Sequence, residues 1–366
     1  MTVTISKLKP RRLVGAPSGI ELIELEGPPP ITGTVCRIDL RHYEFRLFCF
    51  RDLINKSLHP DSPDGCYTQE NVNLGCSVPD FIKGDRFECE GLRAYSCWCP
   101  PYRRFYRRCL IASNTLQTNF ISSKGFVIDK GKVVAKPLHA WGRTDPEYST
   151  LGVAGDYTCL LVEGTTARVT PIRVEDPTGS RTNPSLPEGC YGVASPMLVE
   201  QSPKGPRIVN IQQSKEPFRD GRTRRLKGDC VDWDPKSTAS SFTAFGVAAN
   251  AEGEDTILIM VSIFAGEWGI HIDTNSGVLP KVMGQVLIRY GGAHDGILGG
   301  GAADTQQFVH WRFPRFRIGP VRTKSPAMSR GEVNGIRGLG AIAAVLHRND
   351  PADRGLEDST PATQPL

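Results

Sequence analysis

The residue types able to do chemistry are concentrated around Gly299, Gly300 and Gly301. His294 and Asp295 precede these glycines, and Asp304, Thr305 and Gln306 follow at once. Consecutive glycines let a backbone approach a ligand closely, and their N–H groups can turn inward to bind an anion. Asp304 is the first candidate for a catalytic carboxylate, Asp295 the second, and His294 a candidate proton carrier. Gly299, Gly300, Gly301, Thr305 and Gln306 would contact the substrate. Each also has a plainer reading: Asp304 as a turn cap, Asp295 as a surface residue at a strand start, His294 as a loop histidine, and the glycines as a tight turn. The spacing is neither GxGxxG nor GxxxxGK[ST], which excludes dinucleotide-binding and P-loop assignments.

Several elements must position these groups. Val278, Val282 and Val286 recur every four residues with Leu279, Met283 and Leu287 beside them, so the spacing predicts a helix with one apolar face. Gly291 and Gly292 end it. Gly296-Ile297-Leu298 then reads as a short buried strand running into the glycine turn. KGFVIDKGKVVAKP predicts a hairpin about Lys130-Gly131-Lys132, and DYTCLLVEG and TARVTPIRVED predict two further strands. FTAFGVAA and DTILIMVSIFAG form an apolar pair split by the polar turn Asn250 to Asp255. The expected fold class is mixed α/β (α+β): a twisted, largely antiparallel sheet with one or two covering helices, preceded by a cysteine-rich, loop-rich N-terminal region. The expected divisions are an extended arm over 1–30, ending in consecutive prolines, a cysteine-rich region over 31–110, a main domain over 111–348 and a disordered tail over 349–366.

The chain has 366 residues, enough for one large or two ordinary domains, with 38 Gly and 28 Pro that imply many turns. A net charge of +5 suits an anionic ligand without indicating nucleic acid. Tyr102, Phe105 and Tyr106 interleave with Arg103, Arg104, Arg107 and Arg108, a pattern that reads first as a strand with a solvated basic face and second as a nucleic-acid contact. No apolar run is long enough for a transmembrane helix or a signal peptide, which leaves the cytoplasm or an assembled particle as the expected location. Eight of the eleven cysteines fall between Cys36 and Cys109. Paired CxxC spacing is absent there, so disulfides or buried thiols are favoured over a structural metal, and no cofactor is expected.

From residue 111 to about 310 the order of elements resembles the phosphodiester glycosidase family, whose domain is that of N-acetylglucosamine-1-phosphodiester alpha-N-acetylglucosaminidase. The resemblance is carried by Thr118-Asn119-Phe120, by the hairpin Gly125 to Lys132, and by Phe242-Thr243-Ala244-Phe245-Gly246-Val247. It continues through Thr256 to Phe264, Gly277 to Tyr290, and Leu298-Gly299-Gly300-Gly301-Ala302-Ala303-Asp304-Thr305. It implies a hydrolase acting on a glycosidic phosphodiester or related sugar-phosphate linkage, with Asn119 and Thr243 as polar groups of the pocket. Three positions depart from the family pattern: Phe242 stands for Arg, Ala265 for Asp, and Gly299 for the Asp that opens the turn. A Gly-Gly-x-Ala-Asp-x-Gln-Gln variant of the turn fits Asp304, Gln306 and Gln307, with Asp304 taking over the carboxylate role. The alternative expectation is a non-catalytic structural or binding protein that reuses the fold in a larger assembly such as a virus particle, with assembly partners met through the N-terminal region.

Overall fold

The computed structural model describes residues 2–28, 31–49, 78, 109–115, 118–119, 122–123, 127–135, 155–174, 186–195, 197–209, 241–265, 277–301, 305–311, 313–318 and 341–348. They form a β-rich fold. After the short strand β1 (Thr2–Val3) come β2 (Lys9–Leu13), β3 (Ile20–Glu26), β4 (Ile31–Asp39) and β5 (Tyr43–Cys49). Next are β6 (Cys109–Asn114), the short pair β7 (Thr118–Asn119) and β8 (Ser122–Ser123), β9 (Val127–Asp129) and β10 (Lys132–Ala135). They are followed by β11 (Gly155–Glu163), β12 (Thr166–Val174), β13 (Tyr191–Ala194), β14 (Met197–Ser202), β15 (Gly205–Ile208), β16 (Phe242–Ala248) and β17 (Ile257–Ala265). The last are β18 (Gly277–Val278), β19 (Asp295–Gly301), β20 (Gln306–Trp311), β21 (Phe313–Ile318) and β22 (Ala341–His347).

An eight-stranded sheet in the order β15-β14-β19-β16-β17-β4-β3-β2 is antiparallel throughout. Both of its faces are covered, which explains why β17, ILIMVSIFA, is apolar at every position but Ser262, where alternation would mark a solvated face. Two five-stranded antiparallel sheets, β21-β20-β6-β22-β5 and β10-β9-β13-β11-β12, share a core with its inner face. Phe45, Ile111, Val345, Leu160, Val193, Phe245 and Met260 meet there.

The other face of the large sheet carries Ile23, Val35, Ile259, Val261 and Leu298 and is closed by one helix. Helix α1 (Pro280–Val286) continues into a π turn, Leu287–Gly291, and buries Val282, Met283, Val286 and Leu287. Pro280 starts it, where a missing N–H costs nothing. Gly292, at φ 73, ends it in the left-handed region, and the Arg37 guanidinium donates to the Gly291 carbonyl at 2.5 Å.

The expected mixed α/β class is therefore corrected. Strands dominate, and among the described residues helix is confined to this segment, a three-residue 3-10 turn, Ile5–Lys7, and Val78. A 3.6-residue apolar period occurs in the one segment alone, whereas strand-type runs recur along the chain and cover one another sheet on sheet. The hairpin at Lys130-Gly131 forms as expected, with both residues at positive φ, 49° and 79°. The pair about Asn250 to Asp255 is β16 and β17 in full antiparallel register. Residues before 31 contribute β2 and β3 to the edge of the large sheet, and β4 lies beside β17.

Candidate functional site

The Gly299–Gly301 run is extended strand, not turn: β19 continues through all three glycines, with a register shift against β16 between Phe242 and Ala244. Its glycines answer to a close approach of backbone. A Cβ at Gly299 would lie 2.6 Å from the Thr115 carbonyl oxygen and 3.0 Å from that of Thr243. The aspartate that the family pattern places here has no room. The Gly300 N–H donates to the Thr115 carbonyl at 3.0 Å, so it is spent on holding the end of β6 against β19. Opposite Gly301 sits the buried ring of Phe242, 2.5 Å from where a Cβ would be. Without side chains over Gly299–Gly301, the end of β6 can cross this end of β19.

That crossing delivers Asn114 to the end of β16. Asn114 Oδ1 accepts from the Thr243 hydroxyl at 2.6 Å and from the Gln306 backbone N–H at 3.1 Å. A backbone N–H can only donate, so the amide oxygen is oriented by Gln306 and the nitrogen is the group left over. Asn114 Nδ2 makes no hydrogen bond, nor do Thr305 Oγ1 or either polar atom of the Gln307 amide. Asn114, Thr305 and Gln307 are buried. Ser262 stands 3.4 Å from the Thr243 hydroxyl, Gln306 Oε1 accepts from the Val78 N–H at 2.9 Å, and the Thr115 hydroxyl donates to the Ala341 carbonyl at 3.3 Å. Four unspent hydrogen-bonding atoms among buried neutral side chains are a concentration that native interiors avoid, so the cluster asks for a ligand or another partner to explain it.

Thr243, Thr305, Gln306 and the glycines are thus brought together. Asn119 lies on β7, and its side chain is outside the described residues, as is Asp304 altogether. His294 and Asp295 are at the opposite end of β19, roughly 20 Å from Gly301 for a strand of this length. His294 there bridges two carboxylates, Nδ1 to Asp295 at 3.0 Å and Nε2 to Asp255 at 2.9 Å, and Asp295 also accepts from the Gln201 N–H at 2.9 Å. This tethers the Asn250–Asp255 turn and β14 to the start of β19. Sequence reasoning missed Asn114 and Ser262, because an isolated amide or hydroxyl on a strand carries no periodic signal, whereas Gln307 was legible through the Gly-Gly-x-Ala-Asp-x-Gln-Gln pattern.

Cys36 and Cys109 are buried, and burial pushes the Cys109 thiol far up, so on β6 it remains protonated. The side chains of the other six cysteines expected to form a disulfide framework or metal site lie outside the described residues. Among the described residues no three His, Cys, Asp or Glu side chains gather as a metal site, and no helix is long and apolar enough to cross a membrane.

The fold and site define a β-rich protein with a buried polar centre at converging strand ends. No family model and no curated protein sequence matches the chain. Among solved structures it is similar to the catalytic domain of zebrafish N-acetylglucosamine-1-phosphodiester alpha-N-acetylglucosaminidase auto-inhibited by its pro-peptide. The identity is 12%, the TM-score 0.41, and the match covers 93% of this chain and 82% of that one. A hypothetical protein from Synechocystis gives 12% identity and a TM-score of 0.36, covering 93% of this chain and 68% of that one.

Proposed function

We propose that this chain is a hydrolase of a glycosidic phosphodiester or related sugar-phosphate linkage, with its site at the Asn114–Thr243–Gln306 cluster. The observation that supports this reading is the set of unspent, buried hydrogen-bonding atoms on Asn114, Thr305 and Gln307 at the glycine strand. A sugar offers alternating donors and acceptors, and neutral amides and hydroxyls of this kind complement them. The order of sequence motifs from Thr118 to Thr305 points to the same substrate class. Asp304, next to Thr305 in the chain, is the catalytic carboxylate. It takes a proton from water as that water attacks the anomeric carbon. The bond from that carbon to the phosphate oxygen breaks, and the phosphate leaves as the monoester, to which the proton returns.

A second reading, binding without catalysis, is favoured by one feature: Asn114, Thr243, Ser262, Thr305, Gln306 and Gln307 are all uncharged. The two readings separate on a panel of sugar-1-phosphodiesters and nucleotide sugars presented to wild type and to Asp304→Ala. Hydrolysis by wild type that falls by a factor of about a hundred or more in Asp304→Ala supports the enzyme, the usual scale of one general acid or base. Binding by calorimetry without turnover supports the second reading. Equal rates in the two proteins overturn the role of Asp304.

A further inference from the structure

Val78 stands in the stretch of chain between β5 and β6, and it is wholly buried. Its backbone N–H donates to Gln306 Oε1 at 2.9 Å, a hydrogen bond between residues 228 positions apart. Gln306 is therefore held from two sides, because its own N–H donates to Asn114 Oδ1 at 3.1 Å. Topology starts this stretch at the polar centre. β5 ends at Cys49, whose register partner Ala341 precedes Ile342, the partner of Asn114. The Thr115 hydroxyl, donating to the Ala341 carbonyl, closes the same corner. Chain leaving β5 thus sets out from the end of the sheet where Asn114 and Gln306 meet.

Valine is an incomplete neighbour for such a centre. Its backbone N–H serves one acceptor, but its side chain neither donates nor accepts a hydrogen bond. Around the contact, Asn114 Nδ2 and Thr305 Oγ1 remain without partners, although both residues are buried. Packing of protein against protein ordinarily pairs such atoms, and each one left unpaired costs stability. Sugar hydroxyls both donate and accept, so they can replace the Val78 N–H on Gln306 Oε1 and also partner Asn114 Nδ2 and Thr305 Oγ1. A sugar ligand satisfies more of the centre than Val78 does, and the two compete for one acceptor.

We propose that Val78 is the resting occupant of the site: its N–H holds the Gln306 acceptor until a sugar-phosphate ligand displaces it. The proposal rests on the sugar-phosphate reading above and adds the regulation of that site. Apparent affinity is lowered by the fraction of molecules in which Val78 is in place, so a change that weakens the Val78 contact raises affinity. A Val78 that only walled the pocket would give the opposite sign, because losing a packed wall weakens binding.

Calorimetric titration of the full chain with the methyl phosphodiester of a monosaccharide 1-phosphate reads that sign. Val78→Ala, which gives up two buried carbons, should bind roughly tenfold more tightly than wild type. Val78→Pro, which lacks the N–H, should shift in the same direction. In wild type, saturating probe should speed hydrogen exchange at the Val78 amide by roughly tenfold or more, and this measurement decides alone if the variants do not fold. Equal or weaker binding by either folded variant overturns the proposal and leaves the cluster reading intact. Probe that binds wild type while exchange at Val78 stays the same or slows does so too. Failure of wild type and of both variants to bind overturns the sugar-phosphate reading and the displacement together.

Discussion

Asn114→Ala is the sharpest test of the polar centre, because it removes one acceptor from two donors that have no access to water. The Gln306 backbone N–H and the Thr243 hydroxyl both donate to Asn114 Oδ1, and both residues are buried. A buried donor left unpaired costs about 1–3 kcal/mol. The Thr243 hydroxyl can turn toward Ser262, 3.4 Å away, which softens its share of the loss. The expected loss is therefore about 2–4 kcal/mol, between one and two full penalties. Thr243→Val removes the donor itself and leaves Asn114 bound to Gln306, so it should cost only about 0.5–1.5 kcal/mol. In the double variant the Thr243 penalty is counted once, giving a coupling of about 1 kcal/mol. Urea unfolding with an unchanged denaturant slope reads all three values. If Asn114→Ala costs no more than Thr243→Val, or if the two effects simply add, the shared acceptor is refuted.

Glycine substitutions should split by neighbourhood. Gly299→Ala meets two carbonyl oxygens at 2.6 and 3.0 Å and should lose about 1–3 kcal/mol, while Gly284→Ala, with its nearest neighbours at 3.4 Å in helix α1, should gain about 0.5–1 kcal/mol, both read by thermal melting. Hydrogen bonds from Arg41 hold the Asp39 carboxyl below its usual range. Its folded value lies below the unfolded one, so its contribution is present above about pH 3.9 and is lost as pH falls through the folded value. The melting gap between wild type and Asp39→Asn should accordingly be open at pH 6 and close in acid; a constant gap would contradict the pairing. His294→Ala should loosen the Asn250–Asp255 turn, seen as faster amide exchange there, with a smaller effect on hydrolysis than Asp304→Ala.

Local chemistry was legible wherever neighbours in the chain decide the outcome. Lys130-Gly131 specifies its hairpin because two positive-φ residues in succession suit one turn, and Val278, Val282 and Val286 mark the helix that covers the large sheet among the described residues. The β16 and β17 pair follows from two apolar runs joined by a short polar turn. Residues 9–26 were not legible as sheet, because the edge strand KPRRL is almost wholly exposed and its pattern does not differ from that of a solvated arm.

Tertiary structure alone decided what the glycines are for. Gly299 to Gly301 read as a turn because glycine permits one, yet they are strand, since the Thr115 carbonyl needs the space that side chains would fill. The same holds for the site. Only the crossing of β6 over β19 brings Asn114 to Thr243, and only the pairing of β16 with β17 sets Ser262 beside them. Composition and periodicity determine which face of an element is buried. They carry no information on which distant strand lies beside it, and that neighbour decides whether a lone Asn or Thr is a surface residue or part of a site.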